Sequence, residues 1–145
     1  MKRMLMYLMV PMLLVSMAVA AQERPYSEGP VVVVTSVDVL DGQFETYMAF
    51  LRDTYKPIME AQKKAGIILD YGVYDLSARR PEDPDLYLTL TYPNMASFDG
   101  LEERTEPLMT QITKQTRAQA DAASVKRGSM RKIMGSEMIR KVILK

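Results

Sequence analysis

Val31-Val32-Val33-Val34-Thr35-Ser36-Val37-Asp38-Val39-Leu40 is the stretch on which the fold turns. Seven of its ten residues are β-branched. Such side chains are stiff at χ1 and sit well on a pleated backbone, so the stretch is a strand. Just upstream, residues 22–30 carry Pro25, Gly29 and Pro30 among polar residues, which predicts a short linker ending at Pro30. Just downstream, Asp41 is placed to cap a helix, because its carboxylate can accept an orphan N–H of the first turn. That helix is predicted from Gly42 to about Ala65. Phe44, Tyr47, Met48, Leu51, Tyr55, Ile58 and Met59 recur at three- and four-residue steps and form one apolar stripe. Pro57 inside it should kink or break it, and Gly66 is a plausible stop.

Further along, Ile67 to Leu76 reads as a second strand, and Ser77 to Asp85, with Pro81 and Pro84, as a polar loop. Leu86-Tyr87-Leu88-Thr89-Leu90-Thr91-Tyr92 alternates cleanly and predicts a third strand. Asn94 is placed to cap a helical region from Met95 to about Lys126. Pro107 is expected to interrupt it near Thr105-Glu106-Pro107 and to open its second piece. Arg127 to Ser136 reads as a turn, and Glu137 to Leu144 as the last strand. The order strand, helix, strand, strand, helix, strand is the split βαβ pattern of an α+β, ferredoxin-like domain. It implies a four-stranded antiparallel sheet with helices on one face.

The start of the chain has a different character. Met1-Lys2-Arg3 is a short positive head, Met4 to Ala21 carries no charge, and the run ends in Ala18-Val19-Ala20-Ala21. This predicts a signal peptide over 1–21, cleaved at Ala20-Ala21 or Ala21-Gln22, and a periplasmic or secreted product with no stable membrane span after cleavage. The expected division of the 145 residues is then 1–21 signal peptide, 22–30 linker and 31–145 a single domain. Without Lys2 and Arg3 the mature chain holds 17 basic and 18 acidic residues, which gives no electrostatic argument for a nucleic-acid partner.

Three absences exclude much chemistry. The chain has no Cys, no His and no Trp. Disulfides, thiolate nucleophiles, Ser-His-Asp triads and the usual zinc and haem ligands are therefore excluded by inventory. Asp38, Asp41, Glu45 and Asp70 are oxygen donors, but without EF-hand spacing, so neither a metal nor a cofactor is expected.

Several stretches carry a family likeness. They are Tyr55-Lys56-Pro57, Lys64-Ala65-Gly66, Tyr71-Gly72-Val73-Tyr74, Tyr87 to Tyr92 leading into Met95 to Leu101, and Gly135-Ser136-Glu137-Met138-Ile139-Arg140. With their element order the chain resembles the dimeric α/β-barrel superfamily, among them the antibiotic-biosynthesis monooxygenase-like and NIPSNAP-like small domains. The resemblance covers roughly 31–145. It implies a homodimer whose two sheets close on each other. Some such proteins are cofactor-free oxygenases, some bind or degrade haem, and others have no known activity. The haem-using members rely on histidine, which this chain lacks, and no catalytic motif carries over residue by residue.

Strand alternation then sorts the side chains. Val31, Val33, Thr35, Val37 and Val39 oppose Val32, Val34, Ser36, Asp38 and Leu40. Ile67, Leu69, Tyr71 and Val73 oppose Ile68, Asp70, Gly72 and Tyr74. Leu86, Leu88 and Leu90 oppose Tyr87, Thr89 and Thr91. The aliphatic rows should pack on the helices. The mixed rows predict a partly polar cavity holding Ser36, Asp38, Asp70, Tyr74, Tyr87, Thr89 and Thr91, with Arg140 or Lys141 from the last strand. A buried Asp there would serve as a general base, and Tyr74 or Tyr87 would bind an aromatic ligand. Equally, a mixed face on an antiparallel sheet is an ordinary solvated surface or dimer interface. Three functions remain open: a homodimeric module binding a small, partly apolar or aromatic molecule, a cofactor-free oxygenase or isomerase using the Asp/Tyr pocket, and an interaction protein with no pocket.

The charges are unevenly divided. Residues 22–113 hold 8 basic and 16 acidic side chains, and residues 114–145 hold 9 basic and 2 acidic ones. The basic end can meet an acidic surface within the chain or across a dimer, or an anionic membrane, or remain a solvated face.

Overall fold

The valine run forms the middle of a central strand. A computed structural model describes residues 23–77 and 80–145, so the expected signal peptide and its cleavage site lie outside the described residues. Strand β1 (Tyr26–Val39) is flanked by β3 (Leu86–Tyr92) and β4 (Arg131–Leu144), and β2 (Asp70–Asp75) lies beyond β3. The order is β2-β3-β1-β4, with every pairing antiparallel. Helices α1 (Phe44–Phe50), α2 (Lys56–Lys64), α3 (Leu101–Thr113) and α4 (Arg117–Lys126) complete an α+β, ferredoxin-like architecture.

The predicted linker is partly strand. Tyr26, Ser27 and Glu28 pair with Leu144, Ile143 and Val142. Gly29 and Pro30 look like linker residues because they occupy a register shift in the ladder, where proline's missing N–H breaks no pair. At the other end, β4 starts at Arg131 rather than Glu137. A second register shift beside Val37 leaves Met134 as the extra residue and lets Gly135 lie opposite Ser36. The second strand starts only at Asp70. Gly66, at φ +71°, turns the chain, and Ile67 and Ile68 are buried without entering the ladder.

The helices depart from expectation at their prolines. Asp41 does not cap α1. The turn around Gly42 closes through Gln43 N–H to the Leu40 carbonyl, and Gln43 occupies the cap without a side-chain bond. Pro57 neither breaks nor sharply ends the helix, because a π turn over Leu51–Tyr55 precedes it and α2 takes Pro57 into its first turn. Pro107 lies inside α3. The interruption comes later, at Lys114 with φ +56°, before Thr116 caps α4 in a reciprocal box with Gln119. Asn94 does cap, but a 3-10 turn over Met95–Phe98.

Two apolar clusters join helices to sheet. Val37, Leu86, Tyr47 and Leu51 form one, while Ile58, Met59, Ile67, Ile68 and Tyr92 form the other. Beside the second, the Tyr71 hydroxyl donates to Glu60 Oε1 at 2.6 Å, and this bond, with some burial, pushes the phenol up to about 12. A raised folded-state value means stability present below the ordinary phenol range, near 10, and lost as pH climbs through about 12. Burial raises Tyr47, Tyr55 and Tyr92 as well. In a 295 nm absorbance titration Glu60→Gln is expected to move one late phenol back toward 10 and leave the other three late. No change in the late group would contradict the Tyr71–Glu60 bond.

Candidate functional site

The ladder registers decide which side chains share a face, since residues paired across antiparallel strands point the same way. Tyr74, Tyr87, Ser36 and Gly135 form one row across the sheet. Gly72, Thr89, Val34 and Glu137 form the next, and Asp70, Thr91, Val32 and Ile139 the one after. Asp38, opposite Lys132, lies beyond the first row. Seven of the eight predicted site residues therefore share the face turned away from the apolar clusters. Tyr74 leans back along its strand: a Cβ on Gly72 would meet Tyr74 Cε2 at 2.5 Å and Thr89 Oγ1 at 2.9 Å. Only glycine leaves that space for the ring.

The eighth residue is a correction. Arg140 pairs with Val31, a core residue, so it lies on the opposite face and forms an ion pair with Glu28 at 2.7 Å. By alternation its neighbour Lys141 takes the open side. The two aspartates are also poorly placed to work together, because their rows lie about 20 Å apart along the strand direction. Asp70 is exposed, and its carboxylate is drawn around the sheet edge to Lys63 Nζ at 2.8 Å. That bond holds it below the usual carboxylate range, opposite to the burial-raised base expected from sequence. Among the described residues no group of three or more acids is placed to hold a metal ion.

Among the described residues no helix covers the open face. Tyr74 and Ile139 are 57% and 51% exposed, and the hollow that touches Ser36 is shallow, bounded by Pro84, Met134 and Glu137. Among the described residues nothing covers β4 on either side: Ile133 and Met138 align with the helix-side row, Ile139 with the open one, and Val142, Ile143 and Leu144 follow toward its end, all exposed. Part of the charge asymmetry is met within the chain, because Arg140, Lys145 and Arg117 pair with Glu28, Glu23 and Glu102.

A deeper cleft, which the sequence did not reveal, lies on the helical side. The π turn and α2 form one wall, and α3 and α4 the other. Its inner part, about 320 Å³, is lined by Tyr55, Ile58, Met59 and Met109. An outer part, about 430 Å³, reaches Lys126 and Met130. Phe50, Thr54, Gln115 and Arg127 line both. The Tyr55 hydroxyl is buried and has no hydrogen-bond partner among the described residues. Arg127 lies over the Phe50 ring, its carbon 4.9 Å from the centroid, and makes no ion pair among the described residues. Burial and the neighbouring Arg131 charge both disfavour its protonated form. In the sequence Tyr55 belongs to the apolar stripe and Arg127 to a basic turn. The one local hint was Pro57, two residues after Tyr55, where a helix must distort.

The fold and both surfaces place the chain in a structural class rather than a named family. No family model matches it, and no curated protein matches it. Among solved structures it resembles HapK from Hahella chejuensis, with TM-score 0.50 and 10% identity over 77% of this chain and 91% of that one. It is also similar to a dimeric ferredoxin-like protein from an uncultured marine organism, with TM-score 0.48 and 6% identity over 82% of this chain and 90% of that one. A candidate antibiotic biosynthesis monooxygenase from Chloroflexus aurantiacus gives 0.43 and 16%, over 77% and 92%. At such identities the likeness is one of fold.

Proposed function

We propose that this chain is an exported homodimeric binding or accessory module. A second copy covers the open sheet face, and the Tyr74, Tyr87 and Thr89 region holds a small, partly apolar molecule between the two sheets. The observation that carries this reading is the uncovered row set, in which Val32, Val34 and Ile139 alternate with Ser36, Thr89 and Thr91. An apolar edge strand left bare on both faces favours association, since such strands ordinarily pair or are covered. A carboxylate already committed to Lys63 favours binding over base catalysis at Asp70.

Sedimentation velocity and native mass spectrometry of protein purified from its own host test the proposal together. A dimer carrying a retained small molecule is the expected result. A monomer at micromolar concentration defeats it, and a dimer with nothing retained reduces it to self-association.

A further inference from the structure

We propose that the helical cleft binds a small organic acid with an oxygenated, largely apolar body. Two groups, one without an ion pair and one without a hydrogen bond among the described residues, set the chemistry of the ligand. A half-buried guanidinium without a carboxylate ion-pair partner calls for an anion, because Arg127 loses solvent and meets the like charge of Arg131, which the neighbouring Tyr47 phenol offsets only in part. A buried phenol with nothing to bond calls for a polar atom deeper inside, at Tyr55. Between them, Ile58, Met59 and Met109 supply an apolar wall, and the two methionines can adapt to an irregular body. Phe50 holds the guanidinium from behind by a cation–π contact, which fixes the head group's position without neutralising the charge. The ligand's carboxylate therefore sits at Arg127, near Lys126, and its second oxygen reaches Tyr55. The volume is at the lower end of small-molecule sites and suits a ligand of this size.

The cleft lies across the sheet from the face of the proposed dimer and belongs to one subunit, so the two readings stand or fall separately. The test uses three probes: 10-hydroxydecanoate, decanoate and decane-1,10-diol. Binding is read by calorimetry and by methyl NMR of the methionines. The hydroxy acid is expected to bind about tenfold tighter than the diol and several-fold tighter than decanoate. The shifts should fall on Met59 and Met109 rather than Met134 and Met138. Arg127→Gln should abolish the preference for acid over diol. Tyr55→Phe should abolish the preference for the hydroxy acid over decanoate while leaving the acid preference intact. Circular dichroism checks that both variants remain folded. Three results would overturn the proposal: no binding of any probe, equal binding of acid and diol, or shifts confined to the sheet methionines. An Arg127→Gln protein that keeps the acid preference would overturn it as well.

Discussion

Val34→Asp is expected to break the proposed dimer into folded monomers, raising its dissociation constant at least about a hundredfold. Val34 sits between Thr89 and Glu137 at the middle of the open face. In a free subunit the new carboxylate meets water. Against a second sheet it would be desolvated beside Glu137, with no cation in its row. Ile139→Glu, at an exposed position on the same face, should act in the same direction with less disturbance to the central strand. Sedimentation velocity gives the mass, and far-UV circular dichroism shows whether the subunit stays folded. If both variants remain dimers, the open face is not the interface and the placement of the binding region fails with it.

Leu86→Ala is expected to destabilise the subunit by about 2–5 kcal/mol. Leu86 is 1% exposed and packs with Val37, Tyr47 and Leu51 where the first strand, β3 and α1 meet. Truncation removes apolar burial and leaves a space that Tyr47, itself fully buried, cannot fill without leaving its own contacts. A domain of this size has about 5–15 kcal/mol in total, so the thermal midpoint should fall by many degrees. Val125→Ala, at a site 81% exposed on α4, should change stability by less than about 0.5 kcal/mol. Denaturant unfolding of both variants checks the contrast. Equal midpoints would mean that the cluster does not hold the fold.

The legible part of this architecture was the part governed by period-two alternation. Val31 to Leu40 and Leu86 to Tyr92 announce strands by residue type, and alternation alone assigned Ser36, Tyr87, Thr89 and Tyr74 to one face. The choice between Arg140 and Lys141 stayed open because charged and aliphatic residues come in pairs along the end of β4, so each face holds both kinds and only the pairing of Arg140 with Val31 decides the sides. The prolines misled in both directions. Pro30 looked like a boundary yet sits in a bulge of the ladder, and Pro107 looked like a break yet is carried inside α3. In each case the missing N–H falls where no partner is lost or where one lost bond is tolerated, a matter of tertiary context. The helical cleft was illegible because it arises from how α3 and α4 meet α2. Nothing in the spacing of Tyr55 and Arg127 encodes that they line one space.

The pairing of Tyr26 with Leu144 has a kinetic side. The first strand to be synthesised finds one of its two neighbours only when residues 131–144 exist, and contacts such as Thr35 with Ser136 span 101 positions. Closing so large a loop is slow and leaves β1 half-paired throughout synthesis. A chain wired in this way completes its central sheet only after residues 131–144 have been made, so the last segment to be synthesised is the one that closes the fold.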